Sequence, residues 1–213
     1  KYFGDIPAGT KPIYRPSLVE PVKTQEVREI VYDNIQLPAV IMSYHIPAQG
    51  TEDYYALSML GTLLSGGESS RLNKALVDQQ QKALQVMSFP FPSEDPGLML
   101  MFGICNMGVS ADDLEKGMDM EIEKFKKDGL SPKEFEKLRN QVESNFVKSS
   151  SSMEQIAENL SNYKVYYGDA NLINTELDRY LKVTSEDLKR VAQKYLTKEN
   201  RVVLHYLSKA DKK

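Results

Sequence analysis

The chain has 213 residues, with 27 Lys and Arg against 30 Asp and Glu, for a formal charge of −3. Hydrophobic residues at 41% and charged residues at 27% fit an ordinary globular composition and exclude wholesale disorder. The slight acidic balance excludes a duplex nucleic-acid reader, which needs an excess of basic side chains on one face.

Residues 1–24 carry Pro7, Pro12, Pro16 and Pro21 with Gly4 and Gly9, and read as an extended linker of the kind that joins a domain to a preceding one. They show no signal-peptide pattern. Residues 27–32 predict a strand that Asp33-Asn34 turn, and residues 37–46 a second strand that Pro47 ends. Thr51 is placed to cap a helix whose apolar residues, from Tyr55 to Leu64, cover most of its circumference and so predict deep burial. That run, residues 54–65, is far shorter than the roughly 20 residues a membrane helix takes. Gly66-Gly67 break the helix, and Ser69-Ser70 restart a short one through about Gln80.

Two apolar segments, residues 82–91 and 98–105, flank the Pro92–Gly97 connector and predict an antiparallel hairpin. Ser110 caps a helix that Asp128-Gly129 stop, and Ser131-Pro132-Lys133-Glu134 is a capping box opening the next. Further helices are expected over 154–166, 174–181 and from Thr184 onward, with a final strand over 201–207. The order β β α α β β α α α α α β implies an α+β fold, a mainly antiparallel sheet with helices packed on one face. Residues 25–208 read as a single domain and residues 209–213 as a frayed tail.

Candidate chemistry is sparse. His45 and His205 are the only imidazoles, so neither H-E-x-x-H nor H-x-x-E-H can be built, and the chain is expected to hold no metal. Each histidine is read as an edge or chamber-facing side chain rather than a ligand. Cys105, the single cysteine, sits in an apolar strand and reads as a buried thiol. Asp112, Asp113 and Glu115 read as an ordinary solvated helix face, as do Lys124, Lys126 and Lys127. The Gly66–Ser70 stretch follows a helix and lacks the lysine of a phosphate loop, so it reads as a helix-to-helix corner.

Three stretches carry a family resemblance: residues 56–72, which end in Ser65-Gly66-Gly67-Glu68-Ser69-Ser70-Arg71-Leu72, the turn Gly129-Leu130-Ser131-Pro132-Lys133-Glu134-Phe135, and Val183-Thr184-Ser185-Glu186-Asp187-Leu188. Together they resemble the pitrilysin, insulin-degrading-enzyme and mitochondrial-processing-peptidase family of zinc metallopeptidases. The resemblance implies repeated α+β halves enclosing a substrate chamber, of which the first binds zinc through H-x-x-E-H and the second binds none. With two separated histidines, this chain resembles the second half. Its implied partners are then an N-terminal catalytic half, which supplies the zinc, and a peptide substrate.

Gly66, Gly67, Ser70, Arg71 and Leu72 form the family signature, and a structural role is expected of them. Some members place an Arg and a Tyr after this signature, where they contact the substrate carbonyl. Extending the match without gaps puts these positions at Val77 and Leu84, and neither side chain can donate a hydrogen bond. No residue of the chain is therefore expected to be catalytic. The expected function is a non-catalytic half walling the chamber; the alternative is a proteolytically inactive structural or assembly subunit of the same fold. A bare chamber surface predicts possible self-association, and a periplasmic or organellar setting suits the family.

Overall fold

The computed structural model describes residues 4–7, 9–14 and 21–212. Strand β1 (Val27–Asp33) and strand β2 (Ala39–Ile46) lead into helix α1 (Glu52–Ser65) and a π-helix (Asn73–Gln79). Strands β3 (Ala83–Phe91) and β4 (Gly97–Cys105) form the hairpin, and helices α2 (Ala111–Asp128), α3 (Pro132–Lys148), α4 (Met153–Tyr167), α5 (Leu172–Leu181) and α6 (Ser185–Tyr195) follow. Strand β5 (Arg201–Ser208) closes the sheet. No helix among the described residues is long and apolar enough to cross a membrane.

The sheet runs β1-β5-β2-β4-β3. Three of its pairings are antiparallel and one, β1 with β5, is parallel. The period-2 burial of β2 shows its two faces: Val40, Met42, Tyr44 and Ile46 are buried under the helices, while the alternate residues are not. The helices start where short polar side chains can satisfy their first N–H groups. Thr51, Ser110, Ser131, Ser152 and Thr184 each accept a backbone hydrogen bond at an N-cap, and Ser131/Glu134 and Thr184/Asp187 close reciprocal capping boxes.

Two details depart from the sequence expectation. The segment after Ser70 is a π-helix: Gln80 N–H reaches back to Ala75 C=O, and Lys82 N–H to Leu76 C=O. The wider turn leaves Leu72, Ala75 and Leu76 together on the core side. The tail is not wholly frayed, because Lys209–Asp211 form a 3₁₀ turn whose Ala210 N–H is held by Ser208 Oγ. The linker expectation falls partly outside the described residues; its described stretches have no helix or strand.

Helix α1 is the central packing element, with Leu57, Met59, Leu60 and Leu64 fully buried. It lies close against β3 because position 61 is glycine: a Cβ there would stand 2.9 Å from Ser88 C=O and 3.4 Å from Phe89 Cα. One turn on, Ser65 Oγ accepts from Ser88 N–H at 2.6 Å and donates to Ser88 C=O at 3.2 Å. The outward backbone groups of edge strand β3 are thus occupied at Ser88, which blunts that edge against strand pairing. Gly61→Ala is expected to destabilise the domain by about 1–3 kcal/mol through overpacking, although alanine is the better helix former by about 1 kcal/mol. Urea unfolding of the variant checks the sign.

Candidate functional site

The signature residues build the corner between α1 and the π-helix. Gly66 caps α1 with its N–H on Thr62 C=O at 2.8 Å, and Gly67 takes φ +125°, which a side chain would resist. Ser70, 8% exposed, donates from Oγ to Gly67 C=O and accepts from Asn73 Nδ2 at 2.9 Å. Arg71 reaches the distant α2–α3 turn. Its Nε donates to Glu134 Oε1 at 2.7 Å, and its Nη2 to Glu134 Oε2 and Gly129 C=O, each at 2.8 Å. The guanidinium also stands over the Phe125 ring, 5.2 Å from its centroid. Leu72 is fully buried. The first two stretches of the family resemblance, far apart in the chain, therefore meet through Arg71 and Glu134. The fork holds the Glu134 carboxyl below its ordinary range, and partial burial opposes this.

Val77 and Leu84 do not come together as a donor pair. Val77 sits on the π-helix packed against the core, and Leu84 is 53% exposed in β3 beside a register irregularity at Ala83/Gln85. Between them Gln81 adopts φ +49°, the one non-glycine residue with positive φ among those described.

A buried ionic cluster corrects the expectation for Glu115 and His205. Glu115 is 6% exposed on the face of α2 that looks toward β5, and His205 is 7% exposed on the helix side of the sheet, so it is neither an edge nor a chamber-facing residue. Glu115 Oε1 accepts from Arg28 Nη1 at 2.8 Å and from Arg201 Nη2 at 3.0 Å. Its Oε2 accepts from Arg28 Nη2 at 2.5 Å and lies 2.6 Å from His205 Nε2, so the imidazole donates from Nε2. Arg201 also donates to Asp119 at 2.5 Å. Burial raises the Glu115 pKa, yet the hydrogen bonds from Arg28 and His205 and the two guanidinium charges outweigh it and leave the carboxyl below its ordinary range. The sequence did hold a signal, since Glu115 lies on the same stripe as Ala111, Met118 and Ile122, which are all buried.

Asp112, Glu115 and His205 bring their ligand atoms within 4.8 Å of one another. The trio does not fit a hydrolytic zinc. Glu115 already accepts four hydrogen bonds, about the capacity of a carboxylate, and two guanidiniums stand where a cation would be repelled. Asp112 is exposed. Cys105 is fully buried, and burial pushes its thiol up to about 11.

Among the described residues, the opposite face of the sheet carries no helix. Register places Met87, Phe102, Ile41 and Leu204 in one cross-strand row, and Phe89, Leu100, Ser43 and Val202 in the next. A third row holds Phe91, Leu98 and His45. Phe89 is 41% and Phe91 58% exposed at the β3 edge of this apolar surface, large values for aromatic side chains.

Comparison with known proteins agrees with this architecture. Residues 1–142 match the profile of the peptidase M16 inactive domain. The chain belongs to the M16 peptidase family, as an inactive domain of it. It is 30% identical over 186 residues to zinc protease PqqE of Helicobacter pylori, covering 87% of this chain and 42% of that protein. A solved protease structure from Helicobacter pylori superposes with a TM-score of 0.87 at 26% identity, over 93% of this chain and 48% of that one. The inactive peptidase domain of a Bordetella parapertussis protein superposes with a TM-score of 0.73 at 26% identity, over 83% of this chain and 96% of that one. The chain thus spans less than half the length of the two Helicobacter relatives.

Two expectations follow for stability. In a double-mutant cycle, Arg71→Ala and Glu134→Ala should be non-additive by more than about 0.5 kcal/mol, since one bidentate contact is lost in either variant. The depressed Glu115 carboxyl contributes stability that is complete above its unfolded value of 4.5 and is lost as pH falls through the lower folded value. Glu115→Gln should cost about 1–3 kcal/mol near neutral pH, because it removes the charged acceptor of Arg28 and His205 while Arg201 keeps Asp119, and should flatten the acid limb of a plot of unfolding midpoint against pH.

Proposed function

We propose that this domain is the half of a zinc-dependent peptidase that walls the substrate chamber and pairs with an H-x-x-E-H-bearing half. Zinc and general base then both come from that half, where the metal activates a water for attack on a peptide carbonyl. The present chain contributes surface and no reacting group. Residues 25–208 act as one unit, residues 1–24 join it to the catalytic half, and Gly66, Gly67, Ser70, Arg71 and Leu72 serve the fold rather than the chemistry.

The observation that supports this reading is the uncovered apolar sheet face. A face of Phe, Met, Leu and Ile residues standing against water is unfavourable by roughly 25 cal/mol per Å², and a second half laid over it would relieve that cost. The alternative, a structural or assembly subunit without proteolysis, draws support from Val77 and Leu84, which leave this half without the carbonyl-contacting donors.

The test is co-expression of the domain with the catalytic half of its own protein. The two should co-purify and show chelator-sensitive peptidase activity. Phe89→Asp and Phe102→Asp, both on the open face, should weaken pairing by at least tenfold, about 1.4 kcal/mol, while the purified domain variants still unfold cooperatively. Pairing without zinc and without peptide cleavage would favour the assembly subunit. Stoichiometric zinc in the domain alone would defeat both readings.

A further inference from the structure

A cavity of about 490 Å³ opens on the helical side, remote from the uncovered sheet face, between the first turn of α1, the end of α5 and the start of α6. Its floor is apolar and buried: Tyr55 is 3%, Ala56 1% and Val183 8% exposed. Its rim carries Arg179, Lys182 and Arg190 against Glu52 and Asp187, leaving one net positive charge.

The three cations are not equivalent. Arg190 is committed, donating to Asp53 Oδ1 at 2.6 Å and to Asp187 Oδ1 at 3.1 Å. Asp53 is in turn held by Tyr195 and Lys194; burial opposes its ionisation, yet these partners pull its carboxyl down to about 2. Arg179 and Lys182 have no carboxylate partner among the described residues. Arg179 is instead oriented by the floor: its Nη1 donates to Tyr55 Oη at 3.4 Å, and its guanidinium stands 5.9 Å from the Tyr55 ring centroid. Tyr55 Oη donates onward to Glu176 at 3.2 Å.

Cations in the last turn of α5 would suit the helix dipole with no ligand at all. That account covers the charges and not the recess beneath them. A buried tyrosine ring, an alanine and a valine under two cations without a carboxylate partner make a pocket with an apolar body and a polar mouth, the usual form of a small-ligand site. The N-terminal turn of α6 opens onto the same recess and adds a favourable dipole for negative charge.

We propose that this pocket binds a monocarboxylate on a short apolar stem, the stem lying over Tyr55, Ala56 and Val183 and the carboxylate bridging Arg179 and Lys182. Two sources share that chemistry, the free C-terminus of a peptide and a small branched carboxylic acid. A dianion is disfavoured by Glu52 and Asp187 on the rim.

The test is a methyl-resolved NMR titration of the full-length protein, reading the Ala56 and Val183 methyl groups. N-acetyl-leucine should bind saturably with a Kd of about 1 mM, a free energy of about 4 kcal/mol. N-acetyl-leucinamide, which lacks the charge, and acetate, which lacks the stem, should each bind at least tenfold more weakly. An Ala-Ala-Leu peptide and isovalerate separate the two sources, and the tighter of them names it. Arg179→Ala with Lys182→Ala, both exposed positions, should remove binding at an unchanged unfolding midpoint, whereas Lys124→Ala should leave it intact. Equal binding of acid and amide, tighter binding of inorganic phosphate, or an unaffected double variant would each overturn the proposal.

Discussion

Everything in this fold leans on the burial of α1. A helix that is apolar around most of its circumference has no solvent side to offer, so other elements must enclose it. The sheet takes one flank through Tyr44, Met99 and Met101, and the α3, α5 and α6 helices close the rest. The enclosure is tight because Gly61 lets the helix axis approach β3, and because Ser65 then saturates the outward groups at Ser88. Among the described residues helical cover is spent entirely on one face, which leaves the other face of the same five strands without a helix.

Polar groups inside such a layer must be satisfied or they weaken it. The Glu115 cluster meets that condition at the seam between β1, β5 and α2, where three basic side chains converge on one carboxylate. Full satisfaction of that carboxylate is also what removes it from metal chemistry. Three ligand-type residues at ligand-type spacing resemble a site until the hydrogen bonds are counted, and the guanidiniums then decide the matter.

The sequence made the helical scaffold legible because capping is local: Thr51, Ser110, Ser131 and Thr184 each announce a helix within four residues of where it starts. The strands were legible for the same reason, alternation at β2 and a Pro/Gly connector between β3 and β4. What escaped was long-range. Glu115 and His205 are 90 positions apart, and nothing near either residue says that Arg28 and Arg201 will meet them. The π-helix escaped because its apolar residues fit ordinary helical spacing equally well; only the closure onto Lys82 selects the wider turn. The pocket under Arg179 is likewise assembled by three helices and written in none of them.

That division explains how a chain can carry a peptidase signature without peptidase chemistry. The signature's arginine is engaged by Glu134 and Gly129, its serine by Gly67 and Asn73, and its leucine by the core. All of these contacts lie within the domain, so they hold the corner whether or not a substrate ever approaches it. The two positions that would address a substrate are under the opposite constraint. At Val77 a branched apolar side chain packs against the core from the π-helix, and at Leu84 the side chain stands in solvent beside a strand irregularity. Neither needs a guanidinium or a phenol to keep the backbone in place, so both donors can be absent at no cost to the fold. The structural half of the motif is fixed by packing, and the chemical half is free to vanish.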